Sequence, residues 1–130
     1  MVACAPGGMN DYVYMMIPAD NPGMFTAAMR AMGREDLIEN PRYASPEERQ
    51  NNSEELSQII RDWTGPRDKR DVMAAFASAG VPCGAVFDTS EVIKQPPLIE
   101  RGMISEVDHP VRGKYPVIGC PVRLSDSQVE

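Results

Sequence analysis

Proline and glycine interrupt this chain so often that only short elements can form. Twelve prolines and ten glycines are spread over 130 residues. Proline removes an amide donor and clashes with the turn before it, and glycine accepts the backbone conformation that ends helices. Gly33, Thr64-Gly65-Pro66, Gly80, Pro96-Pro97 and Gly102 are such stops. Between them the apolar spacing is helical. Asn21-Pro22 supplies a cap and a first-turn proline, and Met24, Phe25, Ala28, Met29 and Met32 recur on one face. A short helical turn is expected at Asp36-Leu37-Ile38. Ser45-Pro46-Glu47-Glu48 has the form of a capping box, opening a helix whose Leu56, Ile59, Ile60 and Trp63 make one apolar stripe. Val72, Met73 and Phe76 mark the next helix. Asp88-Thr89-Ser90-Glu91 is a second capping box, opening a short helix that Pro96-Pro97 interrupts, with a further turn at 98–101.

Strands are expected toward the ends. Tyr12 to Ile17 is rich in aromatic and β-branched residues, and Val81 to Phe87 is a short apolar segment. Met103–Val107 and Tyr115–Ile118 read as a hairpin turning through His109–Lys114, where Pro110 and Gly113 carry the turn chemistry. A third short strand is expected at Val122–Leu124. The fold class is therefore α+β: central helices with short terminal β-strands forming a small sheet, in one domain over residues 1–130.

The net charge of −6 at pH 7 argues against nucleic acid or an anionic membrane surface as partner, since both select a basic face. Three cysteines, Cys4, Cys83 and Cys120, lie far apart without a CxxC pair, so neither a disulfide framework nor a metal site is expected. Reduced thiols, with no signal-peptide pattern at the start, fit a cytoplasmic protein.

Several blocks then take on meaning together. They are Cys4-Ala5-Pro6-Gly7-Gly8-Met9-Asn10-Asp11-Tyr12-Val13-Tyr14, Met32-Gly33-Arg34-Glu35-Asp36-Leu37, Asn40-Pro41-Arg42-Tyr43, Ala79-Gly80-Val81-Pro82-Cys83-Gly84-Ala85-Val86, and the run from Val107-Asp108-His109-Pro110 through Arg112-Gly113-Lys114-Tyr115 to Ser125. In this order they resemble the class III CoA-transferases, the family of the CaiB/BaiF and formyl-CoA transferase-like proteins. The resemblance implies a fold and a place in it. Members are longer chains with a large Rossmann-like domain and a smaller α+β domain, and two chains interlock. The present sequence looks like the small domain, with the large catalytic domain absent. In the family an aspartate of the large domain is the nucleophile, passing through anhydride and CoA-thioester adducts. No block here corresponds to it or to the CoA-binding residues, so the resemblance assigns no catalytic residue, no bound cofactor and no metal to this chain. A coenzyme A thioester is the substrate of the full-length enzymes, and a large-domain partner or a homodimer is the expected assembly. The alternative is a stand-alone binding or oligomerisation module derived from that domain.

The resemblance also sets Gly7, Gly8, Asn10 and Asp11 near the junction of the two domains, which makes them the candidate substrate-proximal residues. Their plainer reading is a tight turn before a strand. Glu47, Glu48 and Glu91 are read as capping or solvated residues in first helical turns. His109, the one histidine, is read as a turn residue and Cys83 as a small buried hydrophobe. Cys4 is placed in the opening loop, and the methionine stripe in the core.

Overall fold

The computed structural model describes residues 1–122 and 126. The chain divides into two compact units, Met1–Val86 and Phe87–Glu130.

The first unit opens with β1 (Val2–Ala3) and β2 (Tyr12–Met15) and continues with α1 (Pro22–Ala31). Two single turns of 3-10 helix follow at Glu35–Leu37 and Pro41–Tyr43. Then come α2 (Pro46–Asn51), α3 (Ser53–Thr64), α4 (Lys69–Ser78) and β3 (Cys83–Ala85). The strands form an antiparallel sheet in the order β1-β2-β3, with Val13 opposite both Val2 and Ala85. The period-two alternation of β2 is visible in its burial. Val13 is fully buried and Met15 half-buried, whereas Tyr14 is 57% exposed.

Local chemistry accounts for most boundaries. The Asn21 side chain accepts from the Met24 amide at 3.0 Å and Pro22 occupies the first turn, so α1 starts where the cap and the proline agree. Its inward face, Phe25, Ala28 and Met29, packs in the core with Val72, Phe76 and Val81. Trp63 of α3 sets its ring edge-on to Phe76 at 5.5 Å, a geometry that adds about 0.5–1.5 kcal/mol to simple burial. Core methionines Met29 and Met32 fill the same cluster, with Met24 packed against it.

Three features of this unit depart from the sequence reading. The helix expected to run through to Trp63 is divided at Asn52, whose φ of −103° and ψ of 21° leave the helical region. The Asn52 amide there donates to the carbonyls of Glu48 (2.8 Å) and Arg42 (3.0 Å), a tertiary bond that the local pattern does not encode. Cys4 belongs to the core, 2% exposed, instead of an open loop. Val2–Ala3 is a strand because β2 lies beside it, although two residues carry no strand signal of their own.

In the second unit α5 (Thr89–Val92) begins with the expected reciprocal capping box of Asp88 and Glu91. Here Pro96-Pro97 opens a helix, α6 (Pro96–Glu100), instead of interrupting one. Prolines at the first two helical positions forfeit only amides that would lack intrahelical acceptors anyway. β4 (Ile104–His109) and β5 (Gly113–Ile118) form an antiparallel hairpin running from Ile104↔Ile118 to His109↔Gly113. The turn is shorter than expected, and its amides find a side-chain acceptor. Both Val111 N and Arg112 N donate to His109 Nδ1 at 3.2 Å. The strands thus lie in two sheets, and the α+β class stands. The short strand expected at 122–124 falls outside the described residues but for Val122. Among the described residues no helix is long and apolar enough to cross a membrane.

Candidate functional site

The segment 4–11 leaves β1, turns and returns as β2. Backbone bonds fix both ends, from Cys4 N to the Asp11 carbonyl (2.8 Å) and from Ala5 N to the Arg67 carbonyl (2.8 Å). Ala5 also makes a parallel bridge with Asp68, and the Thr64 hydroxyl donates to the Ala3 carbonyl at 2.9 Å. The segment is therefore sewn to the connection between α3 and α4.

Within it, Gly8, Asn10 and Asp11 are brought together. Gly8 N donates to Asp11 Oδ2 at 2.7 Å, and Asp11 N donates back to the Gly8 carbonyl at 3.2 Å. The two glycines have separate reasons. Gly7 sits at φ +95°, where side-chain-bearing residues are strained although the space around it is open. A Cβ on Gly8 would fall 2.8 Å from Asp11 Oδ2, so the carboxylate can approach only a bare glycine.

Beneath the turn lies Lys69, the first residue of α4, which is 3% exposed. Its ammonium donates to the carbonyls of Asn10 (3.1 Å) and Val86 (2.9 Å), and Asp11 Oδ1 is 3.7 Å away. The carboxylate of Asp11 is thus engaged on both oxygens, one by a backbone amide and one by a buried cation. The Gly8 amide, which could have met an external anion, is occupied by the same carboxylate. In this arrangement the turn is a self-capped element held from below. What it presents outward is the exposed Met9 side chain.

The sequence reading grouped Gly7, Gly8, Asn10 and Asp11 and missed Lys69. A signal existed. Lys69, Val72 and Phe76 fall on one helical stripe, and a lysine on an apolar stripe is buried only when acceptors await it.

Cys4 and Cys83 are not poised as nucleophiles. Burial raises the Cys4 thiol above its ordinary range, and the charges of Asp68 and Asp11 push it further. Burial likewise raises Cys83, with Cys4 adding to it. A reactive thiolate needs the opposite setting. All three cysteines are free. Among the described residues no three His, Cys, Asp or Glu side chains are placed to hold a metal ion.

The turn, the Asn-Pro segment before Tyr43 and the His109 hairpin are the structural forms of the sequence blocks, and together they match one family model over residues 8–130, that of CoA-transferase family III. The chain belongs to CoA-transferase family III. Among its relatives, the formyl-CoA:oxalate CoA-transferase of Streptomyces coelicolor is 36% identical over 99% of this chain and 31% of its own length. That of Streptomyces avermitilis is 34% identical over the same shares. The crystal structure of a CaiB/BaiF family protein from Brucella suis superposes with a TM-score of 0.76 and 25% identity, covering 99% of this chain and 31% of that one. The chain thus spans about a third of the length of the curated relatives it matches, which is what the smaller domain of a longer enzyme would cover.

Proposed function

We propose that this chain acts as the small domain of a CoA-transferase that moves coenzyme A between carboxylic acids. The observation behind this reading is the match over residues 8–130, confined to 31% of the length of each Streptomyces relative. The relatives' names give the substrate pair of the first assay, formyl-CoA and oxalate. On this reading the nucleophilic carboxylate and the CoA-binding residues come from the large domain, in the cytoplasm, and residues 1–130 serve as one domain beside it. Gly7, Gly8, Asn10 and Asp11 then lie toward the substrate. Their chemistry fits a positioning role, because the Asp11 carboxylate is already held by Gly8 and Lys69.

The test pairs two measurements. The purified 130-residue chain is assayed for CoA transfer from formyl-CoA to oxalate. The remaining two-thirds of the S. coelicolor relative is then added, lacking its own matching segment. The reading expects no transfer by either part alone, and a complex with restored turnover when they are combined. Transfer by the 130-residue chain alone would overturn it, as would a failure of the two parts to associate.

A second, non-enzymatic reading draws on the outer face of the first sheet. Tyr14 and Met16 are each more than half exposed, with Tyr12 beside them. Such a face suits a binding or oligomerisation module. Light scattering over a concentration series separates the two: a strict monomer that binds no partner removes this second reading.

A further inference from the structure

The β4–β5 ladder has two outer edges, and they differ. The Gly119 amide donates to the Met103 carbonyl at 2.8 Å, and antiparallel pairs alternate between bonded and non-bonded. Along the register, Ser105↔Val117 and Val107↔Tyr115 are therefore bonded pairs, and Ile104↔Ile118, Glu106↔Pro116 and Asp108↔Lys114 are not. The non-bonded pairs turn their amides and carbonyls away from the partner strand. On β5 the middle residue of that set is Pro116, which has no amide to offer and whose ring obstructs an incoming strand. That edge is closed. On β4 the same positions are Ile104, Glu106 and Asp108, each with its amide. Among the described residues no hydrogen bond reaches these outward groups. Glu106 and Asp108 are exposed. A two-stranded sheet is marginal alone and gains from a third strand, so the β4 edge is a place for an extended segment to pair.

Charge decides what pairs there. Glu106 and Asp108 stand two residues apart on the same face of β4. Lys114 of β5 lies 3.2 Å from Glu106, an exposed pair of small worth. Among the described residues Asp108 has no ion pair. A second copy of β4 is a poor occupant. In the two antiparallel registers that overlap most of the strand, Glu106 faces either its own copy or Asp108. Like charges directly opposite destabilise a sheet, and the net charge of −6 adds to the repulsion between copies. A segment with cations at alternate positions meets the acids instead. An apolar residue between its cations lies beside Val107, which is 38% exposed. We infer that the open edge of β4 is a docking site for an extended basic segment of another protein, which adds as an antiparallel third strand with its cations opposite Glu106 and Asp108. This inference rests on the second unit alone, so it stands or falls separately from the transferase reading.

The test is a titration of the 130-residue chain with the peptide acetyl-Val-Lys-Val-Lys-Val-amide, followed by nuclear magnetic resonance and amide exchange. Saturable binding is expected, with shifts and slowed exchange at the Glu106 and Asp108 amides, which face the peptide. The same peptide with glutamate for lysine is expected to bind at least about fivefold more weakly, since two attractions become repulsions. The basic peptide with both lysine amides N-methylated keeps its charge and loses the donors of the bonded pairs, and its binding should fall at least about tenfold. Two variants of the chain separate edge from charge. Glu106→Pro copies the effect of Pro116 onto β4. It removes an outward amide and no ladder bond, and should abolish binding while the Val107 amide stays protected. Because that variant can disturb the hairpin, Glu106→Gln with Asp108→Asn is the second probe, expected to weaken the basic peptide at least about threefold on an intact ladder. No saturable shift, equal binding of the acidic or the N-methylated peptide, or undiminished binding by either variant would each overturn the inference. So would Glu106 and Asp108 amides already slow to exchange in the free chain, as they would be if this chain or a second copy covered the edge.

Discussion

Replacing Lys69 by methionine tests whether the turn at Gly7–Asp11 is held from below. Methionine keeps the length and the apolar stem, so the space stays filled and the change isolates the ammonium. The lysine side chain is only 4% exposed, and it serves the Asn10 and Val86 carbonyls and faces Asp11. Removing one partner of a buried charged network costs roughly 3–5 kcal/mol, most of it the penalty on the acceptors left behind. Asp11 is itself 19% exposed at its side chain and retains its bond from Gly8, so water relieves part of that penalty. The lower end, about 3 kcal/mol, is therefore expected. With a urea slope of about 1–3 kcal/mol per molar, the midpoint should fall by roughly 1–3 M at unchanged slope. The chain's one tryptophan, Trp63, packs on Phe76 of α4 and reports on this unit by fluorescence. A loss below about 0.5 kcal/mol, the level of an ordinary surface change, would refute the reasoning. A double-mutant cycle with Asp11→Asn should show a coupling of only about 1 kcal/mol, because the pair stands 3.7 Å apart.

The remaining predictions probe single features. Gly7→Ala should cost about 1–2 kcal/mol in thermal unfolding from backbone strain alone, whereas Gly8→Ala should also disturb Asp11, whose resonances would shift. Asp88→Ala removes the cap of α5 and should lose about 1 kcal/mol of local protection, seen as faster amide exchange at Glu91 and Val92. Burial first, and then the charges of Asp68 and Asp11, raise the Cys4 thiol in the folded state. The unfolded chain then releases this proton at lower pH than the folded one. The stability linked to Cys4 is full below the ordinary thiol range and falls as pH climbs through it. A denaturation series into alkali should show this decline in the wild type and a smaller one in Cys4→Ala. At neutral pH a thiol reagent should modify the exposed Cys120 well before Cys4.

Much of this fold is legible locally. Asn21-Pro22, the alternation around Val13 and the Asp88–Glu91 box are decided by chemistry within a few residues and formed where those residues predict, while the hairpin turn formed within its expected span but shorter. What escaped is set by distant partners. Asn52 breaks a helix because it bonds the Arg42 carbonyl, ten residues back. Val2–Ala3 is extended only because Val13 lies opposite. Cys4 is buried because Asp11 and Arg67 sew its segment inward. Of the candidate site, the four turn residues were legible as a group, and the lysine that organises them was not. Its partners lie 59 and 17 positions away.

The two sheets place different demands on the newly made chain. The β4–β5 ladder closes from His109↔Gly113 outward, between neighbours in sequence, so it can zip within about 1–10 μs of collapse. The first sheet cannot, because Val13 must wait for Ala85, and that pairing bears the loop-closure entropy of everything between them. Until then β2 has only the two-residue β1 on one edge and an open edge on the other, with Tyr12 and Tyr14 on one face and Val13 on the opposite one. During synthesis β2 emerges well before β3, and in that interval its open edge offers unpaired backbone groups to other strands.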